Sequence, residues 1–215
     1  MRDFYAELTE YTGRERELVQ RRCEYSVYEL AYTFNKDDVI STYRDNDLYC
    51  FDLTHYQVLL RERGFHQLLV DILKRFNFKK ILDFGGGIGE YVLLAIENGI
   101  EADFLEVAES ETLKYAKWRF KKHGVNPKIF TEKTDLTGMK YDCVVAMDVF
   151  EHIENPEPVI KKCAEIARYL WCNPFELPFN WLYPQHISKF DDDLRKYFEV
   201  VDRYLWERKD DIIKT

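Results

Sequence analysis

Short apolar runs alternate with helical segments from residue 79 onward, and this alternation restricts the fold more than any other feature of the chain. The runs read KKILDF, ADFLEVA, PKIFTE, YDCVVAMDV and ARYLWCN. Several of them are separated by the helical segments EYVLLAIENG, SETLKYAKWRFKKHG and NPEPVIKKCAEIA. Strands that alternate with helices form βαβ units, whose parallel sheet is covered on both faces. The sequence therefore predicts an α/β fold, with FEVVDRYLW as one further strand and DIIKT as either another strand or a tail.

The residues before this region have a helical period. EYTGRERELVQRRCEYSVYELAYTF repeats apolar residues at helical spacing, and Thr12 followed by Glu15 predicts a capping box at its start. STYRDNDLYCFDLTHYQ is polar and aromatic without a clean period, which indicates a loop or short helices, whereas HQLLVDILKRFNF predicts a helix that leads into the first strand. We therefore expect a helical N-terminal segment, residues 1–75, attached to an α/β domain, residues 76–215.

Charge and composition exclude several classes of function. The chain of 215 residues has a formal net charge of −8, which argues against a broad nucleic-acid surface, because such surfaces need many Lys and Arg contacts to phosphates. No apolar run is long enough to span a membrane, and the acidic, polar N-terminus does not resemble a signal peptide. Five scattered cysteines without a C-x-x-C pair are typical of reduced thiols, so we expect a cytoplasmic protein.

A glycine-rich loop follows the first apolar run, in the sequence Asp83-Phe84-Gly85-Gly86-Gly87-Ile88-Gly89. Glycines at a strand-to-helix turn let the backbone approach a ligand closely, and the N–H groups at the start of the helix then face a polar or anionic group. The dinucleotide fingerprint fails because its third position falls on Glu90, and the P-loop fails because no G-K-[ST] follows. A tight structural turn without a ligand is the alternative.

The acidic-x-G-x-G-x-G spacing resembles the first motif of the class I S-adenosylmethionine-dependent methyltransferases. This resemblance implies a Rossmann-like, seven-stranded, mostly parallel sheet, with the N-terminal helices as a lid. It implies that Asp83 binds the ammonium group of the cofactor, that Glu106 binds the ribose hydroxyls and that Asp135 binds the adenine amino group. Each of these carboxylates could instead be an ordinary loop or surface residue. The full set implied for the cofactor is Asp83, Phe84, Gly85, Gly86, Gly87, Glu106, Val107, Asp135, Leu136 and Met147.

The segment YDCVVAMDVFEHIENPEPVI is similar to the fourth-strand region of the methyltransferase branch that contains ubiquinone-pathway O-methyltransferases. Ligands of open α/β sheets lie beyond the carboxyl ends of the strands, which places Asp148, Glu151 and His152 near the reacting atoms. In one interpretation these residues and His186 bind a divalent metal that lowers the pKa of an acceptor hydroxyl. In the other, which the sequence favours, Glu151 and His152 belong to a metal-free strand-to-helix turn.

Proton transfer is assigned to the same region. His186, in YPQHISKF, is a general-base candidate because the pKa of imidazole lies near the working pH, although it could also cap the helix that follows. Candidate catalytic residues are thus His152, His186 and Glu151. The substrate side would be lined by aromatic residues of the lid and of the segment after the fifth strand, unless these only pack the core: Tyr43, Tyr49, Phe51, Tyr56, Trp181 and Tyr183.

The sequence predicts an S-adenosylmethionine-dependent methyltransferase that acts by in-line displacement on a small-molecule or peptide acceptor, at oxygen. Three other hypotheses stay open. One is a metal-dependent RNA-end 2′-O-methyltransferase, another is a non-catalytic cofactor-binding partner subunit of the same fold, and the third is an NAD-dependent enzyme. No residue identifies the acceptor or the oligomeric state.

Overall fold

A computed structural model describes residues 2–35, 38–173 and 183–210. Its described N-terminal part contains five helices: α1 (Phe4–Thr12), α2 (Arg16–Thr33), α3 (Val39–Asp45), α4 (Leu48–Glu62) and α5 (Phe65–Arg75). The segment STYRDNDLYCFDLTHYQ, for which the sequence indicated a loop or short helices, thus belongs to two helices, α3 and α4. Helix α4 is not short, since it has fifteen residues. No helix of the described residues combines the length and the apolar character needed to cross a bilayer.

The predicted capping box is wrong. Thr12 is the last residue of α1, and its hydroxyl donates to the Leu8 carbonyl of the same helix at 2.7 Å. Gly13, with φ of +66°, ends α1 in the left-handed conformation, which glycine adopts without strain. Helix α2 therefore begins separately, after Glu15, and Glu15 makes no side-chain cap hydrogen bond.

Seven strands form one sheet in the order β3-β2-β1-β4-β5-β7-β6. The first five pair in parallel, and β7 is antiparallel to both of its neighbours. The strands are β1 (Lys80–Phe84), β2 (Glu101–Leu105), β3 (Ile129–Phe130), β4 (Tyr141–Ala146), β5 (Ala167–Cys172), β6 (Phe198–Val200) and β7 (Leu205–Arg208). The predicted fold class, a Rossmann-like and mostly parallel sheet, is confirmed.

Helices cover both faces of this sheet. They are α6 (Glu90–Glu97), α7 (Glu111–Lys122), α8 (Glu157–Ile166) and α9 (Asp191–Tyr197), and the core divides into one apolar cluster on each face. A third cluster joins the N-terminal helices to α7 and to Ile88 of the glycine loop. All five cysteines are free and buried.

The segment FEVVDRYLW is two strands rather than one. Polar residues in its middle reverse the chain, since Asp202 accepts a hydrogen bond from the backbone N–H of Arg203 at 2.7 Å, and Val200 pairs with Trp206. The two halves are β6 and β7, so the second half adds the antiparallel strand. The segment DIIKT lies outside the described residues.

A fully buried arginine joins three elements next to the glycine loop. Arg119 of α7 donates to Glu7 of α1 and to Glu90 of α6, at 2.7 Å each. It also donates to the Ile88 carbonyl at 2.7 Å. Arg2 adds a second ion pair to Glu90, at 2.6 Å. Burial by itself would make these charges unfavourable, so the fold depends on their mutual pairing.

Replacing Arg119 by Met should lower the free energy of unfolding by about 3–5 kcal/mol, because Glu7 and Glu90 would stay buried with one partner removed. Urea unfolding followed by circular dichroism measures this. The matched control is Arg168→Met, which removes an exposed arginine paired with Glu207 and should change stability little. Equal effects of the two substitutions would contradict the role given to Arg119.

Candidate functional site

The glycine turn leaves no room for side chains. A Cβ on Gly86 would lie 2.4 Å from Asp83 Oδ2 and 2.6 Å from the Phe104 ring. Gly85 and Gly87 have φ of +66° and +54°, which favour glycine. The N–H groups of Gly85 and Gly86 both donate to the Leu105 carbonyl. The turn after β1 is therefore fixed against the end of β2 and exposes bare backbone.

Asp83 ends up inside the protein beneath this turn. It is 1% exposed, and its Oδ2 finds no hydrogen-bond partner among the described residues. Burial, together with the nearby charge of Glu106, holds the pKa of Asp83 well above its ordinary value. A buried carboxylate oxygen without a partner is unfavourable and is suited to receive a cationic or hydrogen-bonding group of a ligand.

Glu106 follows the end of β2 and faces the same turn. Its Oε2 accepts the N–H of Gly87 at 2.6 Å, and its Oε1 accepts the N–H of Val107 at 3.1 Å. Burial raises the pKa of this carboxyl, and the two backbone hydrogen bonds oppose that rise. The carboxylate is thus held beside the glycine loop, as the sequence predicts.

One cavity of about 430 Å³ contains most of the predicted site. Its lining includes the glycine turn with Asp83, Glu106 and Met147. It also includes Asp148, His152, Tyr183, Gln185 and His186, together with residues of helices α2 and α4. A cavity of this size with convergent polar groups is typical of a small-molecule site.

Asp148, just beyond β4, is held rigidly. Its φ of +52° is unusual for a residue with a side chain. Its Oδ2 accepts the hydroxyl of Tyr56, and its Oδ1 accepts the side-chain amide of Asn173 at 3.2 Å. Burial and the charge of Asp148 raise the pKa of Tyr56. Helix α4 is therefore linked to the carboxyl end of β4 inside the cavity.

Glu151, His152 and His186 form a compact cluster beside Asp148. One ligand atom from each lies within 4.8 Å of the others. The rings of His152 and His186 meet edge to face, with centroids 5.0 Å apart. Three of the four metal candidates are therefore together, whereas Asp148 lies outside this group of three and is bonded to Tyr56 and Asn173.

Burial shifts the pKa values of Glu151 and His152 in this cluster in opposite directions. It lowers the pKa of His152 to about 3, and His186 contributes to the shift. The Nδ1 of His152 lies 3.1 Å from the Gln185 carbonyl, which accepts only, so Nδ1 carries the proton and Nε2 keeps its lone pair. Burial, reinforced by the charge of Asp148, raises the pKa of Glu151 to about 8.

Some predicted cofactor residues do not line this cavity. Asp135 is exposed and accepts the N–H of Thr137 at 2.8 Å, and Leu136 is buried in the core beneath it. Phe84 packs partly against the same core cluster, and Val107 is half-buried. Their roles in cofactor binding stay predictions. Trp181, predicted to line the substrate side, lies outside the described residues.

Helix α4 supplies cavity-lining residues that sequence reasoning missed. Asp52, His55 and Gln57 line the cavity beside the predicted Tyr49 and Tyr56. Residues 49, 52, 53 and 56 have the i, i+3, i+4, i+7 spacing of one helix face. That face mixes aromatic, acidic and apolar residues, so a search for apolar periodicity alone does not find it. Phe51, also predicted to line the site, is buried in the cluster behind α4 instead.

Comparison with known proteins identifies the family. A family model described as a methyltransferase domain matches residues 53–200. Two solved structures share the fold. The PH0226 protein from Pyrococcus horikoshii OT3 has a TM-score of 0.56 at 16% identity, covering 82% of this chain and 100% of that one. The N-terminal domain of EvdMO1 with SAH bound has a TM-score of 0.50 at 18% identity, covering 66% of this chain and 78% of that one.

These identities establish a common fold, and the family match spans most of the chain. The chain therefore belongs to the methyltransferase domain family. The recognition of the methyltransferase superfamily from the glycine loop and from the fourth-strand region is confirmed.

Replacing Glu151 by Gln should stabilise the protein at alkaline pH. The pKa of Glu151 rises from 4.5 to about 8 on folding, so the unfolded state loses this proton first and stability falls between these two pH values. A neutral Gln removes the penalty. In thermal melts the variant should exceed wild type by several degrees at about pH 8.5 and by much less at about pH 4.5.

Glu154→Gln, at an exposed position of the same turn, is the control and should melt in parallel with wild type at all pH values. If Glu151→Gln were equally destabilised at both pH values, the carboxyl would be a hydrogen-bonding residue of the fold rather than a strained acid.

Proposed function

We propose that this chain is an S-adenosylmethionine-dependent methyltransferase that transfers the methyl group by in-line displacement to a small-molecule or peptide acceptor, at oxygen. One observation carries the proposal. A single cavity is lined by Asp83, whose Oδ2 has no hydrogen-bond partner among the described residues, by the bare glycine turn, and by Asp148, His152 and His186.

The residues on the glycine side fit such a cofactor. The free Oδ2 of Asp83 is suited to the ammonium of its amino-acid end, and Gly86 keeps the space above Asp83 open. Glu106 is suited to the two ribose hydroxyls, which would replace the N–H of Gly87 as its partners. S-adenosylmethionine supplies an electrophilic methyl group on a sulfonium. This chain must then position the acceptor and take its proton.

His186 is the residue we propose for proton removal. His152 is a weak base, since burial lowers its pKa to about 3, and its protonated Nδ1 is occupied by the Gln185 carbonyl. His186 lines the cavity, and its ring stacks on Tyr183 with centroids 5.2 Å apart. Glu151, with a ligand atom within 4.8 Å of both histidines, is placed to stabilise the imidazolium once its own proton is lost.

The N-terminal helices, residues 1–75, act as the lid of this site in our proposal. Leu53 of α4 lies 2.7 Å from the position a Cβ on Gly87 would take, and α2 and α4 close one side of the cavity. The carboxyl ends of the strands by themselves would leave the cavity open to water. Coverage by α4 excludes that water from the reacting atoms.

A metal-dependent methyltransferase of RNA ends is a second candidate, and the cluster of Glu151, His152 and His186 supports it. These residues could hold a divalent ion that lowers the pKa of a ribose hydroxyl. The charge of the chain opposes it: the formal net charge is −8, and no Lys or Arg of the described residues lines the cavity.

Titration calorimetry with S-adenosylhomocysteine tests the first proposal. Wild type should bind it with micromolar affinity, and Glu106→Gln should weaken binding by about 10- to 100-fold, because the ribose hydroxyls would donate to a neutral amide oxygen instead of a charged carboxylate. Glu101→Gln, an exposed carboxylate at the start of β2, should leave the affinity unchanged. Wild-type protein that binds no S-adenosylhomocysteine would overturn the proposal.

The same titration, repeated with Mg²⁺ or Mn²⁺ and with EDTA, separates the two candidates. For a metal-free site we expect the same affinity for S-adenosylhomocysteine with Mg²⁺, with Mn²⁺ and with EDTA. Tighter binding with the cation, lost in the His186→Ala variant, would instead support the metal-dependent candidate.

A further inference from the structure

The cavity wall formed by the lid is acidic and aromatic. Its lining residues include Glu24 and Tyr28 of α2 and Tyr49 and Asp52 of α4, and Tyr183 lines the same cavity. Around the whole cavity, five carboxylates belong to lining residues: Glu24, Asp52, Asp83, Glu106 and Asp148. Neither lysine nor arginine lines it within the described parts of the chain. The ligands of this cavity therefore meet negative charge and tyrosine rings.

Three of these carboxylates already have assigned roles. Asp83 and Glu106 face the glycine turn, and Asp148 is bonded to Tyr56 and Asn173. Glu24 is exposed at the rim. Asp52 is the remaining carboxylate within the cavity, on the face of α4 that also carries Tyr49 and Tyr56.

Among the described residues, Asp52 has no ion pair with a Lys or Arg. The hydroxyl of Ser26 donates to its Oδ1 at 3.3 Å, and burial and this hydrogen bond are the influences on its titration. Burial consequently raises its pKa to about 6. A carboxylate in this setting is unfavourable until a cation reaches it, so it is suited to bind a positively charged ligand.

Tyrosine rings line the same cavity as Asp52, among them Tyr28, Tyr49 and Tyr183. Burial raises the pKa of Tyr183, and the charge of Asp52 adds to that rise. Tyr49 also feels the charge of Asp52. Aromatic faces attract organic cations, and they do so more strongly when the cation is desolvated.

We infer that the methyl acceptor is an organic cation, an ammonium group carried on an aromatic or other apolar body, and that Asp52 is the specificity-determining residue that binds its charge. This inference rests on the proposed function. An acceptor that carries a phosphate or a carboxylate would instead bring a second negative charge to Asp52, and no Lys or Arg among the described lining residues would compensate it.

Three matched probes test the inference against protein saturated with S-adenosylhomocysteine: tyramine, 4-ethylphenol and 4-hydroxyphenylacetate. They share a phenol body and are cationic, neutral and anionic, respectively. Calorimetry should give tyramine a Kd at least tenfold below that of 4-ethylphenol, with no binding of 4-hydroxyphenylacetate. Equal or tighter binding of the neutral or anionic probe, or no binding of tyramine, would overturn the inference.

Variants assign the preference to Asp52. Asp52→Asn should remove the difference between tyramine and 4-ethylphenol, and Asp52→Glu, which keeps the charge, should retain part of it. Asp45→Asn, an exposed aspartate of α3, is the matched control and should behave as wild type. A tyramine preference that survives in Asp52→Asn would contradict the role of this residue.

The affinity for S-adenosylhomocysteine without any acceptor probe separates the two levels of the argument. If wild type does not bind it, the proposed function fails. If wild type and Asp52→Asn bind it equally but the probes show no charge preference, the inference on the acceptor fails and the proposed function stands.

Discussion

The buried guanidinium of Arg119 is the interaction on which the rest of the site depends. It reaches Glu7 of the first helix, Glu90 of α6 and the Ile88 carbonyl inside the glycine loop. A buried charge tolerates neither a missing partner nor a loose geometry. The three elements are therefore fixed relative to one another. This ion-pair cluster, together with the apolar cluster around Ile88, holds the N-terminal helices against the turn, where they form part of the cavity lining.

Glu90 shows why part of this organisation could not be predicted from the sequence. In the sequence Glu90 occupies the position at which a dinucleotide-binding fingerprint has glycine. From the sequence it therefore indicated only that the cofactor is not a dinucleotide. In the structure it is 2% exposed and binds both Arg2 and Arg119. Its partners are 88 and 29 residues away. Local spacing predicted the loop, but pairing over such distances follows from the tertiary fold.

The helices and strands likewise divide into those that the sequence predicted and those that it did not. Parallel strands are buried on both faces, so their apolar runs were recognisable, and the turn glycines, Glu106 and the residues after β4 were correctly placed near one another. Two signals failed for local reasons. Gly13 ended a helix where a capping box was predicted, and Asp202 reversed the chain inside one apolar run. Helix α4 carries a mixed face, and mixed faces give no apolar period. Asp52, His55 and Gln57 were missed for that reason, whereas Tyr43, Tyr49 and Tyr56 of the same side were predicted.

The negative charge of the cavity limits how such a site could accelerate the proposed reaction. Carboxylates stabilise a cationic cofactor, and by our inference a cationic acceptor, already in the ground state, and uniform binding of this kind does not raise the rate of the chemical step. The acceleration must then come from alignment and from proton removal.

The structure carries features that serve both alignment and proton removal. Asp148 is locked by Tyr56 and Asn173 in a left-handed backbone conformation, and this joins the lid to the end of β4. Burial and the charge of Asp148 raise the pKa of Glu151 to about 8. The charge beside the two histidines therefore depends on the position of Asp148, which Tyr56 and Asn173 fix. In our proposal, helix α4 binds the acceptor and, through the hydrogen bond from Tyr56 to Asp148, also sets the geometry and the electrostatics at the position where the proton of the acceptor leaves.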